Sequence, residues 1–347
     1  MSLTFRILGV AGGDNALLVQ IDSGHAVERL LFDCGEGCVS ELPFADIQAI
    51  DHLFFSHFHM DHVGGFDAFF RSNFNRANKP NRIWGPPESG RILQHRFQGF
   101  LWNLHEEMSA TWRVVDIYPG QLRTARFELR EAFAILHEEG MQPYERILWE
   151  NAHYSIEAVT MDHRTPTLAY IVREKARRNI DTSRMASLGL RPGPWLKQLK
   201  ESSTGPGEVT IAGRTYSFEE LRGELITETP GESVAYLTDF LLDEPAMDEL
   251  AKTLSGCETI ICEGQYRHAD LELARRHFHM TTVLSATLAQ RAQVGELVLF
   301  HLSSRYRPAE WREMLEEARR IFPKTRYPEQ WQLDSCAQAD NAGPRHS

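Results

Sequence analysis

Short apolar runs rich in Val, Ile, Leu and Phe recur along the chain, broken by Gly, Asp, Asn and Ser. They predict strands over Phe5 to Val10, Ala16 to Ile21, Leu30 to Asp33, His52 to Ser56, Ile156 to Thr160, Leu168 to Val172, Val234 to Thr238, Thr259 to Cys262 and Leu297 to Phe300. Most of these runs are apolar on both faces, as in strands covered on two sides. A helical period replaces the strand pattern at Thr281 to Gln293 and at Pro308 to Phe322. In the second, Pro308 stands in a first-turn position, and Trp311, Leu315, Ala318 and Phe322 share one face. Interleaved strands and helices predict an α/β or α+β fold with layered sheets. From Arg173 to about Gly231 the texture changes to Pro, Gly, Ser and charge, as in RPGPWLKQLKESSTGPGE, which predicts an insertion projecting from the main body. The tail from Ser335, SCAQADNAGPRHS, has no periodicity and is expected to be disordered.

The composition suits one sizeable core: 347 residues, 42% apolar and 24% charged. No apolar run is long enough to span a bilayer, and the start MSLTFRILGVAGGDN breaks up before a signal-peptide core develops. A soluble cytoplasmic protein with no membrane partner is therefore expected. Five cysteines without a C-x-x-C pair fit a reducing compartment and argue against a thiolate metal site. Any metal would have to be held by His and carboxylate. The net charge of −11 argues against a general binder of nucleic acid or anionic membrane. Yet Arg173 to Lys200 holds eight basic residues against two acids, leaving a body of about −17 around a segment of about +6.

The densest chemistry follows the run HLFFS. There His57, His59, Asp61 and His62 arrive within six residues, before Gly64 and Gly65. Alternate residues at a strand end can point the same way, so His57 and His59 can share one ion while Asp61 and His62, further round, face a second. Imidazole and carboxylate suit Zn, and also Mn or Fe, with water in the open position. Further candidates each follow an apolar run: His163, Asp239 and His301.

The motif H-x-H-x-D-H resembles that of the metallo-β-lactamase superfamily. The blocks DHRTPTLAY, RPGPWLKQLK, VAYLTDF, HMTT and HLSSRY, with LLFDCGEG and RIWGPPESG, resemble more narrowly the ribonuclease Z family, endonucleases that trim tRNA 3′ trailers. The resemblance implies an αβ/βα four-layer sandwich over residues 1–334, with a basic arm inserted at about 173–231. It also implies two divalent ions, Zn before Mn or Fe, a tRNA precursor as substrate, and a homodimer. By the same resemblance His57, His59 and His163 hold one ion, Asp61, His62 and His301 the other, and Asp239 bridges them. Asp61 orients the attacking water, His279 protonates the leaving 3′ oxygen, Glu263 orients His279, and Arg305 holds phosphate. In the arm, Arg177, Arg178, Lys197 and the tip Pro192, Gly193, Pro194 would contact the tRNA body.

Two positions depart from the family pattern. A Pro-x-Lys-x-Arg-Asn loop that helps read the RNA end is replaced by Val10-Ala11-Gly12-Gly13, and Gly-Asp-Thr becomes Thr238-Asp239-Phe240. The alternative reading is a hydrolase of another ester on the same scaffold: a cyclic nucleotide, an aryl sulfate or a thioester. The short stretch between Asp239 and His301 leaves no room for the extra domain of a β-CASP nuclease, and His59 stands where the di-iron oxygen reductases have Glu. His153 is expected at the surface, His277 to face away from His279, and Met280, Cys34 and Cys38 to be packing residues.

Overall fold

The computed structural model describes residues 2–24, 26–201 and 207–333, so the predicted tail lies outside the described residues. The chain divides into two units, one of 1–151, 155–172 and 233–347 and one of 152–154 and 173–232.

In the first unit, eight strands form one sheet in sequence order: β1 (Ser2–Leu8), β2 (Ala16–Asp22), β3 (Val27–Phe32), β4 (His52–Phe54), β5 (Asn81–Gly85), β6 (Thr111–Tyr118), β7 (Gln121–Glu128) and β8 (His137–Pro143). The pairs β3–β4, β4–β5 and β5–β6 are parallel, and the flanking pairs are antiparallel. A second sheet begins with β9 (Ile147–Glu150), β10 (Tyr154–Asp162) and β11 (Pro166–Glu174). The chain then makes β12 (Arg177–Ile180), β13 (Glu208–Ile211), β14 (Arg214–Ser217) and β15 (Ile226–Thr229), which among the described residues pair as β12–β15 and β13–β14. It resumes the second sheet with β16 (Ser233–Leu237), β17 (Thr259–Glu263), β18 (Glu296–Phe300) and β19 (Thr325–Arg326), in the order β19-β18-β17-β16-β11-β10-β9. The run β16 to β19 is parallel.

Side-chain alternation explains the layering. Leu31 and Leu53 point to a cluster with Phe66, Phe69, Phe70, Leu93 and Phe97, from the helices Phe66–Asn73 and Ser89–Phe97. Their neighbours Phe32 and Phe54 point the other way and stack at 4.9 Å, and Phe32 meets Tyr170 and Tyr236 of the second sheet at 5.4 and 5.9 Å. Tyr236 in turn meets Phe300 at 5.2 Å. On the far face of the second sheet, Ala235, Leu237, Leu297 and Leu299 pack on Met247, Leu250, Ala286, Leu288, Met314 and Leu315, from the helices Glu244–Thr253, Thr282–Arg291 and Pro308–Ile321. Two sheets face each other with helices outside both, which is the αβ/βα four-layer sandwich. Each buried aromatic pair contributes about 0.5–1.5 kcal/mol beyond its area.

The second unit has its own core of Met185, Leu190, Trp195, Leu199, Ile211, Leu221 and Leu225. Its positive segment does not stay uncompensated. Over 173–232 the sequence carries ten Lys and Arg against nine Asp and Glu, and Arg178 pairs with Glu228 at 3.0 Å, Arg177 with Glu174 at 3.6 Å, and Arg184 with Glu224. The window from Arg173 to Lys200 stops just before the acids that answer it. Exposed basic groups near the tip include Arg191, Lys197 and Lys200, around Pro192, Gly193 and Pro194. The Trp195 indole donates to the Arg191 carbonyl at 3.2 Å, and a Cβ at Gly193 would meet that indole at 3.0 Å. Gly193 thereby lets the tip lie close on Trp195.

Candidate metal centre and catalytic residues

The site is built at the carboxyl ends of strands from both sheets, where open α/β folds place their ligands. Asp33 follows β3, His57 follows β4, Asp239 follows β16 and His301 follows β18, while Glu263 closes β17. Asp33, Asp239 and His301 have φ of 57°, 51° and 53°. Left-handed backbone at a residue other than Gly costs on the order of 1 kcal/mol or more, and here it turns three strand ends abruptly.

After β4 the chain turns into a short helix, Met60–Val63. The two glycines behind it do more than release the chain. A Cβ on Gly65 would lie 2.2 Å from the Gly35 carbonyl oxygen, so only Gly lets this turn press against the loop after β3. Two hydrogen bonds tie the pair of loops: Cys34 N–H to the His62 carbonyl, and Gly65 N–H to the Cys34 carbonyl, both 2.8 Å.

The ligand-type atoms of His57, His59 and His163 lie within 4.8 Å of one another, and so do those of Asp61, His62, Asp239 and His301. Asp239 lies between the groups. Its Oδ2 is 3.8 Å from His57 Nε2, 3.3 Å from His62 Nε2 and 4.0 Å from His163 Nε2, and its Oδ1 is 3.2 Å from His301 Nδ1. His301 Nε2 is 3.3 Å from Asp61 Oδ2. The Nε2 atoms of His57 and His62 are buried without a hydrogen bond. An orphaned imidazole nitrogen is costly in a protein interior. Two orphans aimed into one polar recess fit a group that accepts nitrogen lone pairs, so the donor set suits divalent ions.

The opposite ring nitrogens are fixed from behind, as in metal-binding histidines. Ser56 Oγ lies 3.0 Å from His57 Nδ1, the Phe278 carbonyl 2.8 Å from His163 Nδ1, and Asp33 Oδ2 2.8 Å from His62 Nδ1. Asp33 is wholly buried and also accepts from Ser56 N, Ser56 Oγ and Tyr236 O–H at 2.7, 2.7 and 2.8 Å. Sequence reasoning missed Asp33 as a site residue, although an Asp closing the apolar run LLF was the available signal. It also missed Asn15, whose side-chain amide donates to the Leu8, Val10 and Asp14 carbonyls while its Oδ1 accepts from His301 N at 3.3 Å. Nothing in the sequence links Asn15 to His301.

A third group adjoins the second. Glu263, also wholly buried, accepts from the Met280 amide at 2.9 Å through Oε1 and meets His279 Nδ1 at 2.9 Å through Oε2. Its Oε2 is 3.5 Å from His301 Nδ1. His277 ends the helix Leu271–His277, and Phe278 then turns with φ 59°, so this stretch is not extended as assumed for His277. Arg305 stacks over the Tyr266 ring at 4.8 Å. Among the described residues no carboxylate pairs with it.

Burial pushes His57 down strongly, and the neighbouring imidazole of His62 adds to this. Burial also lowers His163. Burial would lower His62 as well, but the carboxylates of Asp239 and Asp33 outweigh it and raise the group well above its ordinary value. His301 rises to about 10, because Asp239, Asp61 and Glu263 outweigh burial. For His279 the Glu263 and Asp239 carboxylates overcome burial, and its value rises. For Asp61 burial is outweighed by the His301 and His62 rings, which hold it well below the usual carboxylate range.

A ribonuclease Z of Deinococcus radiodurans is 49% identical to the chain over 329 residues, covering 95% of this chain and 98% of that protein. The chain belongs to the ribonuclease Z family. The human short-form tRNase Z matches in fold with a TM-score of 0.51 at 17% identity, covering 88% of this chain and 94% of that one. A metallo-β-lactamase fold protein, YhfI of Bacillus subtilis, gives 0.55 at 15% identity over 94% and 96%. The family model described as Anti-Pycsar protein Apyc1 matches residues 13–166.

Proposed function

We propose that this ribonuclease Z family member is a metal-dependent endoribonuclease that removes 3′ trailers from tRNA precursors. The observation that carries the reading is Asp239 between two histidine groups with Glu263 and His279 beside them, in a chain 49% identical to a ribonuclease Z. His57, His59 and His163 would hold one zinc ion and Asp61, His62 and His301 the other, with Asp239 shared. When bound, such ions lower the pKa of a water between them and neutralise charge on the phosphodiester. The protein's residues do the rest. Asp61, ionised and 43% exposed, orients the water. The water oxygen bonds to phosphorus as its proton passes by way of Asp61 to solvent and the bond from phosphorus to the 3′ oxygen breaks, and His279 gives the departing 3′ oxygen its proton. Glu263, holding His279 Nδ1, fixes the ring so that Nε2 serves as donor. Arg305 holds phosphate.

In the second unit, Lys197 and the Pro192-Gly193-Pro194 tip contact the tRNA body, with Arg177 and Arg178 contributing through their ion pairs. A cytoplasmic homodimer completes the proposal. Among the described residues, no helix is long and apolar enough to cross a membrane. Phe44, Phe100, Leu101 and Leu104 are exposed apolar residues of a kind that a second copy would cover.

The test is cleavage of a tRNA precursor with a 3′ trailer by the zinc-loaded protein, beside hydrolysis of bis(p-nitrophenyl) phosphate. Cleavage at the trailer junction is expected. Hydrolysis of only the small ester would favour the second reading, a small-phosphodiester hydrolase. That reading draws on the match of 13–166 to a model for a different protein and on Val10-Ala11-Gly12-Gly13 in place of the basic loop.

Proton release tests the ligand set. His301, at about 10 in the metal-free protein, carries a proton at pH 7 and must shed it to bind an ion. Zinc affinity should therefore increase as pH rises from 7 towards 10. Calorimetric titration at pH 7 in buffers of different ionisation enthalpy should show net release of about one proton or more. Zero release would remove His301 from the ligands.

A further inference from the structure

Two arginine–aromatic stacks flank His279, and only one has so far been given a role. Arg305 lies over Tyr266, whose ring is 5.8 Å from His279. Arg164 lies over Phe278 at 4.9 Å, and Phe278 immediately precedes His279. Both residues are tied through their backbone to the site around His279. The Tyr266 amide donates to the Met280 carbonyl and its carbonyl accepts from Thr282, while the Phe278 carbonyl holds His163 Nδ1. The His279 ring has two imidazole neighbours, His163 at 4.9 Å and His301 at 6.1 Å. Arg164 directly follows His163 and Arg305 follows His301 by four residues, so each stack is tied in sequence to a different neighbour of the ring.

Arg164 is held deliberately. Its φ is 58°, its amide donates to Asp162 Oδ1 at 2.8 Å, and its guanidinium donates to the Arg276 carbonyl at 3.5 Å, the one hydrogen bond it makes among the described residues. It is exposed, and among the described residues no ion pair within 4.0 Å joins a carboxylate to Arg164, Arg276 or Arg305, although the charge of Arg305 reaches Asp270. In a chain of net charge −11, where most arginines in this unit with a recorded partner sit on Asp or Glu, that is an unusual arrangement. A guanidinium stacked on a ring keeps its edge donors available and its orientation fixed, which suits a phosphate oxygen pair.

We infer that Arg164, stacked on Phe278, is a subsite for the phosphate of the nucleotide next to the scissile one in a single-stranded RNA, with Arg305 on Tyr266 as a separate phosphate contact. The inference rests on the endoribonuclease reading. A substrate with one phosphate can use only one of the two stacks, whereas a polynucleotide uses both.

The experiment compares Arg164→Ala and Arg164→Lys with the parent, zinc-loaded, on the tRNA precursor and on bis(p-nitrophenyl) phosphate. In Arg164→Ala the KM for RNA should rise roughly tenfold, the size of one charge-assisted phosphate contact, with kcat held. The slope of log kcat/KM against log salt should flatten by about 0.7, one phosphate on a single strand. The loss on the small ester should be smaller by about tenfold. Arg164→Lys keeps the charge, so its salt slope should match the parent although its KM rises. Equal losses on both substrates, or zinc content falling below two per chain in both variants, would make Arg164 a brace for His163 and overturn the proposal. An unchanged RNA KM and slope would overturn it too. If the parent cleaves the small ester and not the RNA, the endoribonuclease reading itself fails and takes the subsite with it.

Discussion

Asp239→Ala is expected to strip both ions from the protein and lower kcat by roughly 10³ or more, the several kcal/mol that bound metal supplies to a phosphoryl transition state. The geometry makes this residue the shared term. Its two oxygens lie within 4.0 Å of nitrogens on His57, His62, His163, His279 and His301, and the side chain is 2% exposed. Thr238 Oγ1 donates to Oδ1 at 2.6 Å, so the carboxylate is oriented before any ligand arrives. Removing it takes the buried counter-charge from His62 and His301, whose values are raised by that carboxylate. These rings would then titrate nearer their ordinary value, and with no bridge the two ligand groups become independent and weak. Asp239→Asn separates charge from shape, since it keeps the volume and the Thr238 contact. Metal content by elemental analysis, read together with rate, checks the claim. Two ions retained in Asp239→Ala at parental affinity would mean that the bridge has been misplaced.

How much of this was open to the sequence depends on whether a feature is local. The nine strands and two helices read from apolar periodicity are all present, with ends shifted by a few residues. His52 to Ser56 shortens to His52–Phe54, although the Phe55 amide still donates to the Trp84 carbonyl just beyond it. Strands β5 to β9 escaped the reading. Gln121–Glu128 and His137–Pro143 carry Arg, Glu and Gln in alternation with few large apolar groups, and charge pairs such as Arg113 with Glu139 at 2.7 Å stand in for apolar contacts. The histidine run was legible because strand end, ligands and glycines are contiguous. Asp33 and Asn15 were not, because their roles appear only when β1, β3 and β18 come together. The charge of the second unit was only partly legible for a related reason: the acids that answer Arg178 and Arg184 come from Glu228 and Glu224, some 40 to 50 residues later.

His279→Ala should lower kcat by roughly 10² to 10⁴, the usual contribution of a general acid, while two ions stay bound. The argument starts from Glu263. Both of its oxygens are used, one by the Met280 amide and one by His279 Nδ1, so the buried carboxylate fixes the ring and its tautomer at once. Opposed by burial, that carboxylate and Asp239 raise His279 above its ordinary value, so the ring stays protonated to higher pH than a free histidine. The rate should accordingly hold through neutrality and fall as pH rises past the raised value, because only the protonated ring can serve the leaving oxygen. Glu263→Gln keeps a hydrogen-bonding partner in place but removes the charge, so the descending limb should move to lower pH with a smaller loss of kcat at pH 6 than at pH 8. A structural role for Glu263 would instead lower the rate by one factor at every pH. Chemistry supplies a second check: a substrate whose leaving group needs no proton, such as p-nitrophenolate, should lose much less than RNA when His279 is removed. Equal losses on both leaving groups would show that His279 holds the site together and donates nothing.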